Sequence, residues 1–212
     1  MRTALKLIAL VTAAVTSPAF GQAADPFGQR IAPDVNAVVD KAKTLRLPYD
    51  KPPEQVKLDA AAAAKLLEPV VAANPDYYRA LFNLGLAQDQ AGDYAKANES
   101  FEKALAVREK LGIRDISLLN SAGWVSLQNG DYATAEKRLL FALENIDQGE
   151  PFTRAAIYNN LGQLYFLTQR FAESKKYLTI AKEKYASKSA ADTLDLIAKT
   201  NEILQNQQQL AQ

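Results

Sequence analysis

The sequence predicts an all-α fold, a solenoid of stacked helical hairpins closed by a C-terminal capping helix. Three observations carry that prediction. One residue pattern is written three times between Tyr78 and Tyr185, its copies 38 and 39 residues apart. Within each copy a small residue falls twelve positions after a glycine and an alanine or equivalent seven further on. Inside the first two copies, between their paired helices, stand helix-stop and helix-start residues, glycine followed by aspartate.

The copies read Leu81-x2-Leu84-Gly85 with Ala97, Phe101 and Ala104; Leu119-x2-Ala122-Gly123 with Ala135, Leu139 and Ala142; and Tyr158-x2-Leu161-Gly162 with Ser174, Leu178 and Ala181. This spacing sets helices at about 75–91 and 95–110, 115–129 and 133–147, and 152–168 and 172–186. Gly92-Asp93-Tyr94 and Gly130-Asp131-Tyr132 join the first two pairs. Glycine allows the left-handed backbone that stops one helix, and aspartate caps the next. In the third copy the turn is Gln169-Arg170-Phe171, where the glycine is lost and the aromatic kept. Asp115 and Thr153 are the expected caps of the helices that follow the two longer links.

Ahead of the copies, Asp59 is expected to cap a helix to Ala73 that passes through Pro69 with a kink. Ala63, Leu67 and Val70 repeat the Ala97, Phe101, Ala104 offsets, so 58–74 reads as a half repeat. Asn74-Pro75-Asp76 then ends this helix and starts the next, with Pro75 at a first helical position. Residues 24–57 read as a semi-ordered leader with a short helix over 34–45, because Pro48, Pro52 and Pro53 impose extended backbone. After the array (58–186), Leu194, Ile197 and Leu204 give a capping helix within 187–206, and 207–212 is a polar tail.

Residues 1–23 have the form of a secretory signal: Arg2 and Lys6, an apolar run from Leu7 to Val15, Ser17-Pro18, then Gly21 and Ala23 before the expected cleavage. The Ala19/Gly21 pair is the other candidate site. The expectation is an exported protein of the bacterial periplasm. With Arg2 and Lys6 removed the chain is close to neutral, which gives nucleic-acid backbone no dense basic face to meet. The chain has no Cys and no His. This removes thiol chemistry, imidazole general bases, thiolate metal sites and the cysteine of a lipoprotein anchor. There is no Gly-rich phosphate loop, nucleophile elbow or metal-ligand run, so neither a cofactor nor an enzymatic activity is expected.

The Leu-x2-Leu-Gly, Ala-x3-Phe-x2-Ala and Asn-Pro elements at Leu81–Gly85, Ala97–Ala104 and Asn74-Pro75 resemble the tetratricopeptide-repeat family over about 58–186. The resemblance implies a right-handed superhelix whose concave groove, lined by the first helix of each hairpin, binds a protein or peptide segment. Carried over residue by residue, the groove presents Arg79, Phe82, Asn83, Leu86 and Gln90, then Asn120, Ser121, Trp124, Leu127 and Gln128, then Asn159, Asn160, Gln163, Phe166 and Leu167. Asn83 and Asn160 stand where some relatives hold a peptide backbone with asparagine, whose amide both donates and accepts. The family's basic clamp on a terminal carboxylate is not matched, since Phe82, Ala156 and Asn160 fill its cationic positions. Packing between hairpins is the competing reading of Phe82, Trp124 and Phe166. A further possibility is that Phe27, Ile31, Val35 and Val38 of the leader fold back into the groove. The implied role is a non-catalytic adaptor of an envelope complex. The alternative is a self-associating or assembly subunit that uses its convex face.

Overall fold

The computed structural model describes residues 24–47 and 51–185, which hold eight α-helices and no strand. They are α1 (Pro33–Arg46), α2 (Pro53–Ala73), α3 (Tyr78–Ala91), α4 (Tyr94–Leu111), α5 (Ile116–Gln128), α6 (Tyr132–Glu144), α7 (Pro151–Leu167) and α8 (Phe171–Tyr185). The chain divides into two compact units, one ending at Ile113 and the other beginning at Arg114. The expected signal segment, capping helix and polar tail lie outside the described residues.

In the first unit α1 pairs with α2, α2 with α3, and α3 with α4. Its core joins Val35, Val39 and Ala42 of α1 to Ala63, Ala64, Leu67 and Val70 of α2 and to Ala80, Leu84 and Ala87 of α3. Each fully buried valine or leucine of this set contributes about 1.5–3 kcal/mol, so α1 is part of this core. Helix α1 is the short helix expected over 34–45, and packed on α2 it stands as a first helix to the half repeat. Helix α2 begins at Pro53, not at Asp59, with proline at its first position. Asp59 instead lies inside α2, paired with Lys51 and bonded by Gln55. The helix runs on through Pro69.

Helix α3 starts three residues later than Pro75. The Tyr77 N–H bonds the Asn74 carbonyl in a turn, and Tyr77 itself is extended, which places its ring in the core. At the other end Gly92 is left-handed, with φ +88°, and the Asp93 carboxylate accepts from the Lys96 N–H, as the turn chemistry requires.

The second unit pairs α5 with α6, α6 with α7, and α7 with α8, and sets the first helices α5 and α7 side by side. Asp115 and Asp131 cap α5 and α6 through the N–H groups of Ser117 and Thr134. Thr153 does not cap α7, which begins at Pro151 after Glu150. Its hydroxyl meets that of Ser117 instead. At the third turn Gln169 takes φ +60°, the left-handed geometry that Gly92 and Gly130 adopt at the equivalent turns. Arg170 then ties the turn to α6 through Glu136, which also accepts from the Tyr165 hydroxyl at 2.9 Å.

The repeated glycines are needed for close approach. A Cβ on Gly85 would stand 2.5 Å from the Phe101 ring, and one on Gly162 would stand 2.4 Å from Leu178. The large residue of each second helix therefore fills the space its glycine leaves, as the sequence offsets imply. Ser174 is accommodated as the third small residue because its hydroxyl donates to the Gly162 carbonyl at 2.7 Å.

Candidate interaction site

The side chains named from sequence fall on two faces, one in each unit. In the first unit they sit on α3, and α1 has already engaged part of that face. The Arg79 guanidinium pairs with the Asp40 carboxylate and reaches Asn36 Oδ1 at 3.4 Å. Burial, the largest influence, would lower the Arg79 pKa; the hydrogen bonds and charges of Asp40 and Tyr77 together outweigh it and carry the value above the ordinary one. The Tyr77 hydroxyl also donates to Asn36. Burial raises the pKa of Tyr77, and neighbouring Arg79 works against that rise.

Asn83 is only 7 % exposed and donates to the Arg79 carbonyl at 2.8 Å along its own helix. Phe82 is half-buried between the rings of Tyr78 and Phe101, each 6.1 Å away. Its packing role is thus visible in the structure. Leu86 is half-buried, and Gln90 accepts from Arg46 of α1 at 3.3 Å. The leader's fold-back is of this kind: Val35 and Val39 enter the core, while Asn36, Asp40 and Arg46 take up polar groups of α3.

In the second unit the named residues stand on α5 and α7. Asn160 Nδ2 of α7 donates to Asn120 Oδ1 of α5 at 3.0 Å, so these two asparagines form one amide pair across adjacent helices. Next to Asn160 in sequence, Asn159 has its Oδ1 fully buried with no hydrogen-bond partner. Trp124 lies one turn beyond Asn120, and Gln163 one turn beyond Asn159 and Asn160; both are half-buried. Leu127 is 4 % exposed, so its side chain offers no open surface. Leu167, by contrast, is half exposed.

An amide pair can meet a peptide main chain with its remaining N–H donors and further acceptor capacity, while a half-buried indole offers an apolar contact. Sequence reasoning found the amide positions but missed Asn36, Asp40 and Gln29, which fix α3. The turn signal Asp25-Pro26-Phe27-Gly28 was the available clue to the last of these.

Among the described residues, no group of carboxylates is arranged to hold a metal ion, and no helix is long and apolar enough to cross a membrane.

Comparison with known proteins agrees with this architecture. Two tetratricopeptide-repeat family models match, one over residues 57–110 and one over 154–179. No curated protein matches the sequence significantly. Among solved structures, pilF of Pseudomonas aeruginosa is similar in fold, with a TM-score of 0.61 and 23 % identity, covering 82 % of this chain and 74 % of that one. With its glycine ruler, its paired helices and these matches, the chain carries tetratricopeptide repeats over residues 57–110 and 154–179.

Proposed function

We propose that this protein is an exported, non-catalytic adaptor of the bacterial periplasm that binds an extended segment of a partner protein. Tetratricopeptide repeats are scaffolds for protein–protein interaction, and the finer reading builds on that. The observation that carries it is the amide set of α5 and α7. The Asn160–Asn120 pair joins the two first helices, with Trp124 half-buried one turn away on α5. A partner's main chain meets the remaining N–H groups of the pair, and its apolar side chain meets the indole. Export rests on the signal-like residues 1–23.

A second reading has its own observation. Tyr132 and Phe141 of α6, a second helix, are exposed, and Phe152 at the start of α7 is 82 % exposed. Large apolar side chains left in water suit association through the outer face. Capture by crosslinking from the native envelope separates the two readings. A Trp124→Ala/Asn160→Ala variant that keeps its circular-dichroism melt is expected to lose the partner. A Tyr132→Ser/Phe141→Ser variant is expected to keep it. The reverse result would sink the adaptor reading and favour the outer face.

A further inference from the structure

Residues 24–32 precede α1 and make a contact that neither the repeat pattern nor the proposed adaptor role requires. The Asp25 carboxylate accepts from the N–H groups of Phe27 and Gln29, at 2.9 and 2.8 Å. The Gly28 N–H returns to the Asp25 carbonyl, and Gly28 is left-handed at φ +80°. These bonds make a self-contained turn that presents two side chains to α3.

Phe27 sets its ring edge-on to Tyr78, with centroids 4.7 Å apart. Gln29 uses both ends of its amide on main chain: Nε2 donates to the Asp76 carbonyl at 2.6 Å, and Oε1 accepts from the Tyr78 N–H at 2.8 Å. Helix α3 has no side-chain cap of its own at Tyr77. Its first turn is therefore served from a distance of 49 residues along the chain.

We propose that residues 25–30 are a detachable clasp: the start of α3 is a docking site for a short turn bearing Phe and Gln two residues apart, filled here by the chain's own arm. Three features support a clasp over a fixed part of the core. The turn is closed by its own hydrogen bonds, so it keeps its shape with little ordering cost when it leaves and returns. The core cluster of the first unit is assembled from α1, α2 and α3, with Ile31 and Ala32 the earliest residues packed on it. The arm meets α3 through the Phe27 ring and the Gln29 amide, a modest interaction made effective by tethering. A short tether holds such a segment at an effective concentration on the order of millimolar. The clasp belongs to the first unit and the amide face of α5 and α7 to the second, so either inference can fail without the other.

The test uses the full chain labelled with ¹⁵N and a synthetic peptide of residues 24–32 as probe, with the Tyr78 amide resonance as the readout. In a Phe27→Ala/Gln29→Ala variant the Tyr78 resonance is expected to move away from its wild-type position and to return toward it as millimolar peptide is added. The wild-type resonance should hold still, because its site is already filled by the same residues of the tethered arm. Three results would overturn the clasp. One is a variant whose Tyr78 amide ignores the peptide or responds no more than wild type. Another is a variant that loses its helical circular dichroism, which would make the arm part of the obligatory core. The last is a wild-type dimer that dissociates in the variant, which would show the arm exchanged between two copies.

Discussion

Gly85 and Phe101 fit each other: the ring of Phe101 on α4 occupies the space a Cβ on Gly85 of α3 would take, with 2.5 Å between them. A methyl group there must displace a buried ring. Gly85→Ala is expected to cost about 1–3 kcal/mol in chemical denaturation. Phe101→Ala is expected to cost about 3–5 kcal/mol. The double variant should cost less than the sum, because removal of the ring opens room for the new methyl. Strict additivity would show that the two residues do not share one space.

At the third turn Gln169 bears a left-handed backbone that glycine bears at the other two. Gln169→Gly is therefore expected to stabilise the protein, by about 1 kcal/mol. A thermal melt of the variant against wild type measures this. A lower melting temperature would mean that the Gln169 side chain makes a contribution its geometry does not reveal.

Glu136 joins α6 to α7 by accepting from Tyr165. Tyr165→Phe is expected to cost about 1–2 kcal/mol for that charge-assisted bond, and almost nothing in a Glu136→Ala background. Burial first, and the bond to Glu136 second, raise the Tyr165 pKa above its ordinary value of 10.0. A folded-state value above the unfolded one stabilises the protein fully below pH 10.0, and that stabilisation is lost as pH rises beyond it. Tyr165→Phe should accordingly lose less stability between pH 9 and 11 than wild type does (roughly the range of an ordinary tyrosine).

The helix caps respond at the acid end. The bond with Lys96 holds Asp93 below its ordinary pKa of 3.8, and the bonds with Thr134 do the same for Asp131. Depressed carboxylates stabilise the fold above their unfolded value, and that contribution disappears as pH falls below 3.8 and through the folded-state values. An Asp93→Asn/Asp131→Asn variant, whose amides still cap, should show a shallower loss of stability in that window. An unchanged acid limb would remove these two caps as its cause.

The hairpins were legible in the sequence because each packs by one rule. A glycine faces a large residue sixteen positions on, and Asp93, Asp115 and Asp131 cap in the manner their positions imply. Helix α1 obeys no such rule. Twelve positions before Ala63 falls Lys51, outside any helix, because the α1–α2 connection is longer than the tight turns of the later hairpins. Its valines are visible as a periodic face, but nothing local says what they cover.

The amide positions were legible in the same limited way. Asn160 could be placed on a first helix, but its bond to Asn120 depends on how α5 and α7 meet. Arg79 was placed in the groove by the resemblance, and Asp40, 39 residues earlier, pairs with it. Leu127 looked like a groove residue from its register and is buried.

The adaptor account is tested most directly by site-specific photo-crosslinking in the native envelope, with the photoreactive side chain placed at Gln163 or, as the outer control, at Lys137. The account predicts a discrete crosslinked protein from Gln163 that disappears on Trp124→Ala/Asn160→Ala and is absent from Lys137. A partner captured from Lys137 alone, or one from Gln163 that survives the double change, would contradict it.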